Sequence, residues 1–123
     1  MRRQTATSGV AWESIYGYRR AVRIGNWVAV SGTTAPGATA QAQASAAFET
    51  ALAALATLGG TSADVIRTRM YITDIADADA VGRVHRARFG ANPPASTMVE
   101  VSALIAPELM VEIELDAVVE AAP

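Results

Sequence analysis

The sequence predicts an α+β fold in the order β-β-β-α-β-α-β-β, with two helices on one face of a mixed sheet. Three observations carry that reading. Residues 39–58 form an alanine-rich stretch in which Phe48, Leu52, Leu55 and Leu58 recur at three- and four-residue spacing, the period of an amphipathic helix. Residues 110–119 alternate cleanly, with Val111, Ile113, Leu115, Ala117 and Val119 on one side and Glu112, Glu114 and Asp116 on the other, as in a half-buried strand. Gly25-Asn26 between two β-compatible runs is a two-residue hairpin signal.

Residues 3–9 are polar and β-compatible, so they suit an edge strand or a frayed tail, and Trp12 and Ile15 supply apolar anchors around Glu13 and Ser14. Residues 18–24 read as a strand with Tyr18, Arg20, Val22 and Ile24 on one face and Arg19, Ala21 and Arg23 on the other. Residues 27–30 return from the hairpin and end at Ser31-Gly32-Thr33-Thr34, where Gly32 permits a bend or a close approach by another group. Thr39 is placed to N-cap the long helix and Gly59-Gly60 to stop it; Gln43, Glu49, Thr50 and Thr57 form its solvated face. Residues 61–64 make a turn. Residues 65–73 read as a central strand with Ile66, Met70 and Ile72 on one face and Arg67, Arg69 and Tyr71 on the other. Residues 74–89 form a second helix, acidic at its start and arginine-rich at its end in keeping with the helix dipole. Val81, Val84 and Phe89 face the core there, and His85 is expected on the exposed side. Pro93 and Pro94 stiffen the entry to a strand over residues 98–104, and Pro107-Glu108 turns the chain into the last strand.

The chain has 123 residues, enough for a modest core, and no linker or internal repeat divides it, so residues 1–123 read as one domain. Hydrophobic residues make up 51% and charged residues 18%, an apolar balance that suits self-association. Net charge is −2, a near-neutral balance that gives no electrostatic footprint for nucleic acid, and all 10 basic residues are arginine, which excludes Schiff-base and P-loop lysines. No cysteine is present, so thiolate nucleophiles, disulfides and zinc–thiolate sites are excluded, and a cytoplasmic location is expected. One histidine cannot build a multi-histidine metal site or a readable serine-hydrolase triad. The first nine residues lack a secretory apolar region, and no run is long enough to span a bilayer.

Arg67, Arg69, Tyr71, Glu112, Glu114 and Asp116 would share the sheet face away from the helices. That charged face suits either solvent, with surface ion pairs, or a polar centre enclosed by several subunits. Glu112 is the carboxylate singled out. Glu114, about 7 Å along the same strand face, raises its pKa where solvent is limited, and a carboxylate so poised positions or deprotonates water. The alternative is a structural ion pair with Arg67 or Arg69.

The run Tyr18…Ala21-Val22…Gly25-Asn26…Val30-Ser31-Gly32 resembles the N-terminal signature of the RidA/YjgF family. Tyr71-Ile72-Thr73-Asp74, Pro94-Ala95 with Met98-Val99-Glu100-Val101, and Val111-Glu112-Ile113-Glu114 resemble its later blocks, in order from about Gly17 to Ala117. The resemblance implies a chorismate-mutase-like fold and a homotrimer whose sheets make a barrel, with small-molecule ligands held in intersubunit clefts. It implies cofactor-independent, metal-free hydrolysis of enamines and imines to 2-keto acids and ammonia. It assigns Glu112 to the water and Tyr18, Ser31 and Gly32 to the substrate pocket, with Met98 on its wall; Ser96 and Thr97 in the same stretch suit a neutral or hydroxyl-bearing ligand. The departure is at Ser96, where the deaminase pattern has an arginine that grips the substrate carboxylate. A charge-assisted contact of that kind contributes about 1.5–3 kcal/mol. Its loss points to a substrate other than a simple imino acid, or to a metabolite-binding protein without catalysis. Arg19 or Arg20 is the available replacement cation.

Overall fold

The computed structural model describes residues 1–121. Its strands are β1 (Arg3–Ala6), β2 (Ala21–Ile24), β3 (Trp27–Thr33), β4 (Val65–Ile72), β5 (Ala95–Glu100) and β6 (Val111–Val118), and its helices α1 (Ala11–Tyr16), α2 (Ala40–Thr57) and α3 (Ala78–Phe89). The strands form one sheet in the order β1-β2-β3-β6-β4-β5. Only the β4–β5 pairing is parallel, the crossover being supplied by α3. The expected α+β layout and mixed sheet are therefore observed, with α1 as an addition.

The core lies between the sheet and the two longer helices. Phe48, Leu55, Val81 and Phe89 of the helices and Val28, Ile72, Val111, Ile113 and Leu115 of the sheet are essentially inaccessible. Burying each such side chain contributes about 1.5–3 kcal/mol. Thr39 caps α2 by accepting from the Ala42 amide, and the inward set of β6 is the alternating set the sequence predicts.

Several elements differ from expectation for identifiable reasons. A register shift between Val65 and Arg67 turns Val65 inward and leaves Ile66 42% exposed, so Ile66 is not in the core. Trp12 and Ile15 are not anchors; they are 45% and 64% exposed, and the buried residue of α1 is Glu13. Its carboxylate accepts from Thr7 Oγ1 at 2.7 Å, Ser8 N at 3.0 Å and Ser8 Oγ at 2.8 Å, which ties α1 to the end of β1. Gln43 is buried rather than solvated. The fifth strand starts at Ala95 and ends at Glu100, so residues 101–104 lie outside it.

His85 also differs. It is half-buried against the rings of Phe48 and Phe89, with Nε2 2.7 Å from Thr68 Oγ1, because the fully buried Thr68 offers a hydroxyl on the helix side of β4. Burial lowers its pKa below the ordinary imidazole range. As pH falls, the unfolded chain binds that proton before the folded one. The stability contributed by the neutral ring is present above about pH 6.5 and lost progressively as pH falls toward the folded value. Denaturation midpoints measured from about pH 7.5 to about pH 5 should therefore fall, and His85→Gln should flatten that slope. Equal slopes in both proteins would assign the titration to another group.

Candidate functional site

A cleft of about 900 Å³ opens beside the start of β6. Its walls come from α1, the Tyr18–Arg20 segment, the end of β3 and the 105–109 segment. Gly17 ends α1 at φ 77°, a left-handed conformation that suits glycine, and redirects the chain into Tyr18. A bulge in β3 follows from the register, since Val30 faces Leu115 but Thr33 faces Ile113. The extra residue carries Ser31 and Gly32 out of the regular ladder at the cleft.

Gly32 has a specific reason to be glycine. A Cβ there would run into Oε2 of Glu112, whose side chain lies directly over it. Ser31 is held by two bonds: its amide donates to the Arg20 carbonyl at 2.8 Å and its hydroxyl to the Arg19 carbonyl at 2.7 Å. Glu112 has no hydrogen-bond or ion-pair partner among the described residues. Burial, and then the charge of Glu114, raise its pKa above the usual carboxylate range; the nearby Arg20 charge works in the opposite direction.

The other acidic residues of β6 are engaged. Tyr71 Oη donates to Glu114 at 2.7 Å, and Arg69 Nη1 lies 3.5 Å from Glu114 and 3.2 Å from Asp116. The expected alternative, an ion pair between Glu112 and Arg67 or Arg69, does not form; Arg69 serves Glu114 and Asp116 instead. Glu112 is thus the unpartnered carboxylate in the row, and it is the one in contact with Gly32.

Arg20 is 5% exposed and lines the cleft. Its Nη1 donates to the Gly32 carbonyl at 2.6 Å and Thr33 Oγ1 at 2.9 Å, its Nε to Ser8 Oγ at 3.3 Å, and its Nη2 to Tyr18 Oη at 3.5 Å. Behind it sits Glu13, joined through Ser8 Oγ. Burial alone would raise the pKa of Glu13, but the Thr7 and Ser8 hydrogen bonds and the Arg20 charge outweigh it and hold the carboxylate ionised. Position beside Tyr18 makes Arg19 and Arg20 equal candidates for the replacement cation, and strand alternation does not show which reaches the cleft. Arg19 instead is exposed, with its Nη1 on the Tyr18 carbonyl at 3.3 Å.

Tyr18, Ser31, Gly32 and Glu112 therefore meet in one cleft. Ser96, Thr97 and Met98 do not join them within the chain. They lie on β5 at the far edge of the sheet, in register with Thr68, Arg69 and Met70. Ser96 Oγ accepts from Thr68 Oγ1 at 2.8 Å, and Met98 packs against the core. The wall that sequence reasoning missed is aromatic: Trp12 and Tyr16 stack at 5.3 Å, within 8° of parallel, and line the cleft opposite the sheet. Their spacing of four residues was a legible helical signal. No cluster of three histidine, aspartate or glutamate side chains able to hold a metal ion occurs among the described residues, and no helix among them is long and apolar enough to cross a membrane.

The chain is similar in sequence and fold to known proteins. A family profile described as Endoribonuclease L-PSP matches residues 8–119. The crystal structure of Rv2704 from Mycobacterium tuberculosis, a member of the YjgF/YER057c/UK114 family, is 51% identical, with a TM-score of 0.94 over 96% of this chain and 100% of that one. The YjgF-family protein NMB1025 of Neisseria meningitidis is 27% identical, with a TM-score of 0.86 over 99% of this chain and 98% of that one. SCO2049 of Streptomyces coelicolor, an uncharacterized protein, is 37% identical over 117 residues, or 89% of this chain and 87% of that one.

Proposed function

Because the chain belongs to the Endoribonuclease L-PSP family, that of the YjgF and Rid proteins, we propose that it is a cofactor-independent hydrolase of an imine or enamine larger than a simple imino acid. The observation that carries this reading is Glu112, a carboxylate lying over Gly32 at the cleft, with no partner among the described residues and a pKa raised by burial. In the reaction, Glu112 orients a water and takes its proton as the oxygen attacks the carbon of the C=N bond. An enamine first tautomerises to that imine. The proton passes to nitrogen, the C–N bond of the tetrahedral adduct breaks, and a carbonyl compound and ammonia or an amine leave. Gly32, lacking a Cβ, leaves the space in which the Glu112 carboxylate lies, and Tyr18 and Ser31 line the substrate's approach.

Ser96 stands where the family's deaminase pattern has its arginine, which supports a substrate other than a simple imino acid. The cleft of the single chain, about 900 Å³, leaves room for a larger ligand beside a neighbouring subunit. In our reading the active form is a cytoplasmic homotrimer. A neighbouring subunit would then bring a β5 edge, with Thr97 on its open face, toward the cleft. The exposed Ile66 and Val99 and the charged open sheet face are the surfaces such an assembly would cover. Light scattering at micromolar concentration should give three times the chain mass; a monomer would remove this part. The endoribonuclease reading is disfavoured by the carboxylates at the cleft, which would repel a polyanion.

The direct test is a coupled assay for ammonia and carbonyl product over imines and enamines of increasing size. Turnover should be weak on 2-aminoacrylate and 2-iminobutanoate and rise with an apolar substituent. Robust turnover of those two small acids would overturn the substrate assignment. Binding without turnover across the whole panel would establish the second reading, a metabolite-binding regulator.

A further inference from the structure

The geometry points to Arg20 as an anchor for a ligand carboxylate, paired with the Trp12–Tyr16 shelf as the seat of an apolar or aromatic body. The ligand class is then a monocarboxylate with a flat apolar tail. This inference rests on the cleft assigned above to imine hydrolysis and names the substrate class within it.

A guanidinium carries five N–H donors. In Arg20 the Nε hydrogen and both Nη1 hydrogens are taken by Ser8, Gly32 and Thr33 at 2.6–3.3 Å. Among the described residues Nη2 has only the distant Tyr18 hydroxyl at 3.5 Å, so an N–H on that nitrogen is left for a ligand. The side chain is nevertheless 95% buried, and no carboxylate oxygen among the described residues lies within 4.0 Å of it. Buried guanidinium groups normally take a carboxylate directly. Here Glu13 is held back by the intervening Ser8 hydroxyl, which fixes Arg20 without occupying its outer edge. The other carboxylates at the cleft are Glu112, Glu114 and Glu108; Glu114 is already bound by Tyr71.

Arg20 and Glu112 meet the same residue from two directions. One donates to the Gly32 carbonyl and the other lies over the Gly32 α-carbon. Both residues line one cleft, so a ligand anchored on Arg20 shares that cleft with the Glu112 carboxylate. Beyond that pair the cleft continues to Trp12, Tyr16 and Ile105, exposed by 45%, 64% and 62%, an apolar lip with no role in the core. Arg20 thus takes over, from the segment just before β2, the charge that Ser96 does not supply.

The test uses phenylpyruvate, a 2-keto acid of the expected product class, with pyruvate and 3-phenylpropanamide as probes lacking the tail and the charge. Binding to the full-length protein is measured by calorimetry and by the Arg20 Nε–H resonance in nitrogen-15 spectra. In the wild type, phenylpyruvate should shift that resonance and bind at least about tenfold more tightly than either control probe. Arg20→Gln should weaken phenylpyruvate about tenfold or more, Arg20→Lys less, and neither should change the amide. Trp12→Ala should weaken phenylpyruvate and spare pyruvate. An unshifted Arg20 resonance at millimolar phenylpyruvate in the wild type overturns the inference, and needs no variant to fold. So does equal loss of acid and amide in Arg20→Gln, which would make Arg20 structural. Charge-dependent binding in a protein that hydrolyses nothing on the imine panel would sustain the anchor while removing the catalytic reading.

Discussion

Replacing Glu112 by glutamine is expected to lower turnover by about 10²–10⁴-fold, the range for loss of a positioned general base, while the folded protein is retained. Glutamine keeps the volume over Gly32 but can no longer accept a proton from water. The pH dependence follows from the environment. Burial and Glu114 raise the Glu112 pKa, so the acid limb of the wild-type profile should lie above the ordinary glutamate range. Activity is lost as pH falls through that raised value, because the protonated carboxyl cannot act as base. The residual rate of Glu112→Gln should lack that limb.

Stability separates this role from a structural one. A carboxyl group whose pKa is raised by folding binds its proton more tightly in the folded state. Its favourable contribution is present at low pH and is lost as pH rises from the unfolded value through the folded one. Above that window the ionised group is a liability, so Glu112→Gln should be as stable as the wild type or more stable, by up to about 1 kcal/mol. Glu114→Gln should behave differently, since it weakens the Tyr71 and Arg69 contacts. A wild-type rate in Glu112→Gln would remove Glu112 from the mechanism. A large loss of stability would make it a structural carboxylate.

The fold was legible because its main signals are periodic. The β6 alternation and the α2 stripe each repeat long enough to exclude another reading, and the Gly25-Asn26 turn joins β2 to β3 with Ile24 opposite Trp27. What escaped was non-periodic or was read by residue type instead of phase. The shift after Val65 reverses the side of Ile66, and no residue there announces a bulge. His85 stands four residues from both Val81 and Phe89, which are buried, so its helical phase points inward although its chemistry suggests solvent. Glu13 is the clearest case. A carboxylate between tryptophan and serine reads as surface, and only the fold shows the hydroxyls and amide that solvate it. The cleft follows the same division. Ser31, Gly32 and Glu112 lie on elements whose registers could be drawn, whereas Arg20 and the Trp12–Tyr16 shelf depend on how Gly17 redirects the chain between α1 and β2.

Gln43, whose residue type reads as part of the solvated face, is instead buried, and Gln43→Leu is expected to destabilise the protein by about 3 kcal/mol. Gln43 is in helical phase with the buried Ala40 and Ala47 and is 1% exposed. Its amide nitrogen donates to the Gly37 carbonyl and the Glu108 carbonyl, each at 3.0 Å, and its oxygen accepts from the Met110 amide at 2.8 Å. One side chain thereby joins the approach to α2 with the approach to β6. Leucine fills nearly the same space but leaves one N–H and two carbonyls without that partner. Each unsatisfied buried group costs about 1–3 kcal/mol, and partial access to water reduces the sum. Gln43→Glu, which keeps the acceptor for Met110 and loses both donated bonds when ionised, should also destabilise the protein. The functional consequence arises because Ile105, Ala106, Glu108 and Leu109 wall the cleft and are tied to the helix through this residue. In Gln43→Leu, the Met110 amide should lose protection in hydrogen exchange, and ligand affinity at the cleft should fall even below the unfolding midpoint. A loss under about 0.5 kcal/mol with unchanged exchange would show that the 105–110 segment is held by other contacts, and Gln43 would then have no part in shaping the site.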